Sequence, residues 1–228
     1  EWTGVEKNSN GTYTVVAGKA DNDKKIYVMK DGERTSEVIG ESLTEYSFHG
    51  EDGQAILGAV INPNDTSGID FLNNEIIDIP YLNLAYYMKN ATGGGKYDFK
   101  TRGIDEDLSE EKKNQYKYRG VLFQGVRGFS QGSAGGTTTF ASARDIGNLG
   151  AGYVAGSNGM PWDVARLGFD GLETKQKYNS FNPIKWRSWE VEGQPTYRAE
   201  RVGHNAGMRI FKQKLLLSAF RSFPNFIY

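Results

Sequence analysis

A short segment near the middle of the chain, KYDFK at residues 96–100, carries a carboxylate and an amine two residues apart. Alternate residues of a strand share a face, so Asp98 and Lys100 would point one way and Tyr97 and Phe99 the other. An Asp–Lys pair performs acid–base chemistry only when burial shifts the pKa values of its two groups, and otherwise it is a surface ion pair. We take Asp98 and Lys100 as candidate catalytic residues.

A second candidate group lies in the segment ARDIGN at residues 143–148. Asp145 and Asn148 are three residues apart, which puts a carboxylate and an amide on one face of a helix. Such a pair can bind a sugar, a peptide carbonyl or a metal-bound water, or it can cap the helix. Arg144 and Asp145 complete the predicted catalytic set. The predicted substrate-binding residues are Asn148, Tyr153 and Arg166.

The same segment runs into a helical pattern that glycines interrupt at positions 147, 150, 152, 156 and 159. Each glycine in a helix interior costs about 1 kcal/mol relative to alanine. The glycines therefore indicate a close approach, either of a ligand or of another backbone, and the sequence leaves both open. Neither GAGYVAG at 150–156 nor GGGK at 93–96 fits a nucleotide-binding motif, because the first lacks a preceding strand and the second lacks the Ser or Thr.

Several kinds of chemistry are excluded or disfavoured by composition. The chain has no cysteine, which excludes disulfides, thiolate zinc sites and cysteine nucleophiles. Its two histidines, His49 and His204, are not at metal-ligand spacing. We predict no resident cofactor, with a bound divalent cation left open. No apolar run approaches the roughly 18 residues of a membrane span.

The net charge of −1 conceals an uneven distribution. Residues 1–110 hold 10 Lys and Arg against 20 Asp and Glu, whereas residues 171–228 hold 10 against 4. The basic part could meet an anionic partner, or the two parts could attract each other within the fold. A pI near 6.2 is low for a dedicated nucleic-acid binder, so we favour the second explanation.

The apolar pattern changes period near residue 66. Before it, β-branched and aromatic runs alternate with turn signals, which predicts an antiparallel sheet. After it, helices are predicted to begin at Ser67, Pro80, Phe140, Pro161 and at either Pro195 or Thr196. We therefore predict an α+β protein with one domain over 1–228. Its N-terminal antiparallel β-rich part (1–65) would pack on a mainly helical C-terminal part (66–228) that carries the site.

Four segments of the chain resemble one group of sequences: YDFKTRGI at 97–104, ASARDIGNLGAGYVAG at 141–156, WxxARxGFD at 162–170 and EGxxTxxAxxxG at 192–203. They are similar to the C-terminal tips of Rhs-type polymorphic toxins, notably of Bacteroidetes. The opening residues resemble the first half of the same tips. More loosely, the Asp-x-Lys and Asp-x-x-Asn patterns resemble the type-44 polymorphic toxin family. That family carries a histidine after its Asn motif, where this chain has Leu149 and Gly150.

The resemblance implies an antibacterial toxin tip that is secreted within a large Rhs cage. A secretion apparatus would deliver it into a competitor bacterium, and a cognate immunity protein would neutralise it. The sequence shows no signal peptide at Glu1, and we expect the chain to be a piece released from a longer protein. The reaction is not identified by the resemblance.

Three functions remain open at the level of sequence. The first is a peptidoglycan hydrolase in which Asp98 and Asp145 split a glycosidic bond, one of them kept protonated. The second is a cytoplasm-acting nuclease in which Lys100, Arg144 and Arg166 stabilise the charge of the transition state. The third is a non-enzymatic binding tip. A pore former is disfavoured because no long amphipathic membrane segment is present.

Overall fold

Strands from the N-terminal end and from the middle of the chain close together into a small barrel. The computed structural model describes residues 2–79, 82–91, 93–102, 115–129, 137–178 and 191–222. Its strands are β1 (Thr3–Lys7), β2 (Tyr13–Gly18), β3 (Lys25–Lys30), β4 (Glu33–Ser42), β5 (Val60–Ile61), β6 (Arg119–Leu122) and β7 (Thr139–Ser142). Their order around the barrel is β1-β2-β5-β6-β7-β4-β3.

The barrel is mixed, which corrects the prediction of an antiparallel sheet. The pairs β1–β3, β4–β7 and β5–β6 are parallel, and the other neighbours are antiparallel. Turn signals in a sequence report hairpins, whereas parallel pairs join strands separated by a longer crossover. Strands β6 and β7 lie in the part predicted as mainly helical, so the barrel extends beyond residues 1–65.

The helices follow the predicted order, but some of them begin at other residues than predicted. They are α1 (Ser67–Asp70), which continues as a π-helix (Phe71–Ile77), α2 (Leu84–Asn90), a 3₁₀ turn (Phe99–Thr101), α3 (Gln115–Tyr118), α4 (Ala143–Ser157), α5 (Trp162–Tyr178) and α6 (Gln194–Ser222). Helix α4 begins three residues later than predicted because Phe140 belongs to β7 and Ser142 is the N-cap. Within the described residues, no helix is long and apolar enough to span a bilayer. The α+β class is confirmed.

Helices α4 and α6 pack backbone against backbone through four glycines. A Cβ atom at Gly152 would overlap the carbonyl oxygen of Glu200, and one at Gly203 would overlap that of Leu149. Gly156 and Gly207 make equivalent contacts with α6 and α4 respectively. This pairing explains two of the five glycines in the glycine-rich window, Gly152 and Gly156, since a close backbone approach tolerates no side chain. It also holds the start of α6 beside the middle of α4.

The turn that follows β4 buries a histidine. His49 is almost fully buried, and neither ring nitrogen has a hydrogen-bond partner of ordinary geometry within the described residues. Burial lowers the pKa of His49 to about 4; the Arg144 cation adds to this effect, and the backbone carbonyls of Glu45 and Trp2 oppose it. The folded protein therefore keeps a neutral imidazole at pH values where the unfolded chain takes up a proton.

We expect this histidine to make the fold acid-sensitive. As the pH falls from about 6.5 towards 4, only the unfolded state gains the proton, so stability falls by up to about 3 kcal/mol. Urea titrations at pH 7 and pH 4.5 measure how much the free energy of unfolding falls between these two pH values. This fall should be about 2–3 kcal/mol smaller in His49→Phe than in the wild type. Asp145, with a raised pKa, favours the folded state on acidification in both proteins, so the difference isolates His49. Equal drops would contradict the assignment.

Candidate functional site

A narrow cleft lies where α4, α5 and the start of α6 meet α2 and the turn at residues 97–99. Its volume is about 70 Å³, which suits a few waters or one small chemical group. Its polar lining residues are Asp98, Asn148, Glu173, Glu192 and Glu200. Its aromatic lining residues are Tyr87, Tyr97, Phe99 and Phe169. Two residues predicted from the sequence, Asp98 and Asn148, are therefore brought together here.

Asp98 is positioned by a glycine turn rather than by the predicted strand. Gly93 and Gly94 have φ values of 64° and 77°, a left-handed conformation that favours glycine. The turn lets the Gly94 N–H donate to Oδ2 of Asp98 at 3.0 Å. Tyr97 and Phe99 are both buried on either side of it, so the aspartate is held at the cleft with 7% exposure.

Asn148 presents an unused hydrogen-bond donor to the cleft. The residue lies on α4 and is 5% exposed. Its Nδ2 atom has no hydrogen-bond partner among the described residues. A buried amide donor without a partner is costly, so an oxygen from a ligand or a bound water fits the position opposite it.

Glu200 faces the same cleft from α6 and is held there by Arg166. Nη1 of Arg166 donates to Glu200 at 3.1 Å and to Glu192 at 3.2 Å. Nη2 donates to Asp170 at 2.5 Å. Arg166, predicted to bind substrate, does not line the cleft; its guanidinium fixes three carboxylates instead.

A tyrosine hydroxyl completes the polar set. Tyr87 is 2% exposed, and its ring stacks on Tyr97 at a centroid distance of 5.2 Å. Burial raises the pKa of Tyr87, and the charges of Glu200 and Asp98 raise it further. Tyr87 therefore stays a protonated phenol, close to both carboxylates and able to donate a hydrogen bond.

Arg144 connects α4 to the turn after β4 and does not line the cleft. Its Nη2 donates to the carbonyl oxygens of Tyr46 at 2.7 Å and His49 at 3.1 Å. Its Nε lies 3.6 Å from Oδ1 of Asp145. These contacts hold the barrel against the helices, which is a structural task.

Asp145 is fully buried and forms a capping box with Ser142. The Ser142 N–H donates to Oδ2 of Asp145 at 3.4 Å, and the Asp145 N–H donates to the Ser142 hydroxyl at 3.2 Å. Burial raises the pKa of Asp145, against the opposing effects of Arg144, Ser47 and Ser142. The position favours the capping role that the sequence left open, and Asp145 does not line the cleft that holds Asp98.

Of the two remaining predicted residues, Tyr153 does not line the cleft. Tyr153 follows Asn148 by five residues, which places it about 140° away around α4. It packs near Phe129 and lines a different, apolar groove with Phe211. The side chain of Lys100 lies outside the part of the chain that the structure describes.

We expect Asp145→Asn to act on stability rather than on chemistry. It leaves the buried Arg144 without its charged neighbour, which costs about 3 kcal/mol. The control is Asp163→Asn, which changes an exposed first-turn aspartate of α5 and should cost less than about 1 kcal/mol. Urea denaturation measures both. An Asp145→Asn protein with wild-type stability and no activity would instead indicate that Asp145 is a catalytic residue.

A wider groove adjoins the cleft and shares Glu173 and Glu192 with it. Its volume is about 480 Å³, and its other charged lining residues are Glu51, Lys117 and Arg144. An extended substrate could therefore lie in the groove while one small group enters the cleft. Among the described residues, no three His, Asp or Glu side chains are grouped so as to hold a metal ion.

Sequence reasoning missed Glu173, Glu192 and Glu200. The available signal was the four-residue spacing of glycines on both α4 and α6, which is typical of helices in close contact. Pairing the two patterns would have placed Glu200, three residues before Gly203, beside α4.

Comparison with protein-family models, with curated proteins and with solved structures finds no match for this chain. The four segments that carry the toxin resemblance nevertheless converge in space. Each supplies a lining residue of the cleft: Asp98, Asn148, Phe169 and Glu192. The site is thus built from all four segments.

Proposed function

We propose that this protein is the antibacterial toxin domain of an Rhs-type effector and that it hydrolyses the peptidoglycan of competitor bacteria. The observation that carries the proposal is the cleft in which Asp98 and Glu200 meet the Nδ2 atom of Asn148, which has no hydrogen-bond partner among the described residues. The resemblance supports the toxin class, secretion, delivery into a target cell and a cognate immunity protein. The cleft supports the reaction.

Two carboxylates can together cleave a glycosidic bond, and in this proposal the sugar chain lies in the groove of about 480 Å³ while the small cleft admits the scissile linkage and the attacking water. In this mechanism Asp98 must take up a proton on binding the substrate, and it donates that proton to the leaving oxygen as the bond from that oxygen to the anomeric carbon breaks. The carboxylate of Glu200, which Arg166 holds in place, takes a proton from the water whose oxygen bonds to the anomeric carbon. Asn148 donates to a substrate oxygen, and Tyr87 supplies a second donor.

The alternative nuclease is less well supported by the charges around the cleft. Arg144 donates to backbone carbonyls, and Arg166 is bound to three carboxylates. Among the described residues, the charged side chains that line the cleft are acidic, so they repel a phosphodiester. The geometry therefore favours an uncharged or cationic substrate over a nucleic acid.

The proposed hydrolase is tested in two ways, by an assay on purified sacculi and by directing expression to one cellular compartment. Purified protein incubated with sacculi should release soluble muropeptides, and expression should be toxic when directed to the periplasm. No soluble product together with toxicity confined to the cytoplasm would reject the wall hydrolase, and degraded RNA or DNA would then favour the nuclease. Toxicity without any cleaved substrate would favour the binding tip.

A further inference from the structure

The last turns of α6 expose large apolar side chains. All nine residues from 212 to 220 are exposed, although they belong to one regular helix. Leu215, Leu216 and Leu217 expose 52%, 60% and 60% of their surface, and Phe220 exposes 75%. A contiguous exposed apolar surface of this kind marks a place where a protein contacts another molecule or a membrane.

These apolar side chains do not share one face of the helix. Successive residues of an α-helix point about 100° apart, so the three leucines cover about 200° of its circumference. Phe220 follows Leu216 by four residues and extends the apolar surface along the axis. The flat face of a neighbouring protein would cover one of these directions, whereas lipid chains can surround a helix end on several sides.

Positive charge accompanies the apolar residues. Residues 201–228 contain five Lys and Arg and no Asp or Glu. Lys212 and Lys214 lie within one turn of Leu215, and the stem of a lysine can cover apolar surface while its ammonium group reaches the headgroups. The same helix of a second copy would bring like charges together, which opposes pairing of two α6 helices. An anionic lipid surface complements both the charge and the apolar residues.

The length of the apolar segment fits a shallow insertion. At 1.5 Å per residue, residues 215–220 extend about 9 Å along the helix axis. Interfacial helices bury their apolar residues about 5–10 Å into the boundary between headgroups and acyl chains. The segment therefore reaches this boundary, and it is far shorter than the hydrocarbon core of about 30 Å.

We propose that residues 212–220 of α6 dock this protein on a membrane surface that carries anionic lipids. The three leucines and Phe220 enter the boundary between headgroups and acyl chains, and Lys212 meets the headgroups. The inference goes beyond the proposed hydrolysis and does not depend on it. Glu200 lies about 24 Å from Leu216 along the helix axis, so docking leaves the cleft open to its substrate.

Co-sedimentation with vesicles measures this binding. One set of vesicles contains phosphatidylglycerol and phosphatidylethanolamine, and the other contains phosphatidylcholine alone. We expect binding to the anionic vesicles to be at least about tenfold tighter, and about 0.5 M salt should remove this preference. Equal binding to both sets, or binding to neither, would overturn the proposal. A dimer in solution without vesicle binding would instead assign the helix end to a second copy, and a monomer without it would assign the helix end to a protein partner.

A matched pair of double variants tests the apolar residues. Leu216→Gln combined with Leu217→Gln should weaken binding to anionic vesicles at least about tenfold, because two large apolar side chains no longer leave water. The control combines Leu57→Gln and Leu167→Gln, which replace leucines that are 62% and 61% exposed elsewhere on the protein. It should bind like the wild type. An equal loss in the two double variants would contradict docking through α6.

A second pair tests the charge. Lys212→Gln should weaken binding to anionic vesicles about fivefold and leave binding to phosphatidylcholine unchanged. Lys30→Gln, at an exposed position that ends β3, should change neither. Purified sacculi contain no lipid, so all of these variants should release muropeptides at the wild-type rate. Absence of vesicle binding would overturn this inference alone, and absence of muropeptide release would overturn the proposed function alone.

Discussion

The Asp98→Asn variant should lose peptidoglycan hydrolysis by about 10²- to 10⁴-fold while its fold stays intact. Asparagine has nearly the same shape as aspartate and keeps an oxygen that can accept the Gly94 N–H. In the wild type, the Gly94 nitrogen lies 3.0 Å from Oδ2 of Asp98. It cannot give a proton to the leaving oxygen. Muropeptide release measured by chromatography gives the rate, and urea denaturation should show a stability change below about 1 kcal/mol.

Two further variants make this result specific. Glu200→Gln should lower the rate to a similar extent, because the amide cannot accept the proton of the attacking water, and Arg166 keeps its contacts with Asp170 and Glu192. Asp23→Asn changes an aspartate that also accepts a backbone N–H but does not line the cleft, so its rate should be unchanged. An active, well-folded Asp98→Asn protein would remove this residue from the site.

The Gly203→Ala variant should be the most destabilised of those discussed. The added methyl group would overlap the carbonyl oxygen of Leu149, which belongs to the backbone of α4 and cannot swing aside. The helices must separate, at a cost of about 3 kcal/mol or more. Since α6 also carries Glu200, the cleft should open and hydrolysis should fall with stability.

The matched control is Gly168→Ala on α5. A Cβ atom at Gly168 meets nothing within 4 Å, and the residue is exposed in a helix. Alanine there should stabilise the protein by about 0.5–1 kcal/mol through its higher helix propensity. Urea denaturation of the two variants shows whether backbone contact or helix propensity determines the stability change of each glycine-to-alanine substitution. A Gly203→Ala protein as stable as Gly168→Ala would contradict the packing described for α4 and α6.

The sequence by itself determined the α+β class and the order of most elements. Periodicities of two and of about 3.6 residues depend on local burial patterns, which are legible along a chain. It also singled out Asp98 and Asn148, which share the cleft. It could not determine the parallel strand pairs, because no turn signal marks a pair formed across a long connection.

The tertiary structure alone decided which charged groups are available for chemistry. The sequence treated Arg144, Asp145 and Arg166 alike as functional, because a charged residue looks the same in a cap, an internal ion pair or a cleft. Burial and partners separate these cases: Asp145 caps α4, and Arg166 fixes carboxylates. Glu200 reaches the cleft only because glycines let two helices that are distant in sequence touch. Such contacts depend on three-dimensional packing, which no local pattern of residues encodes.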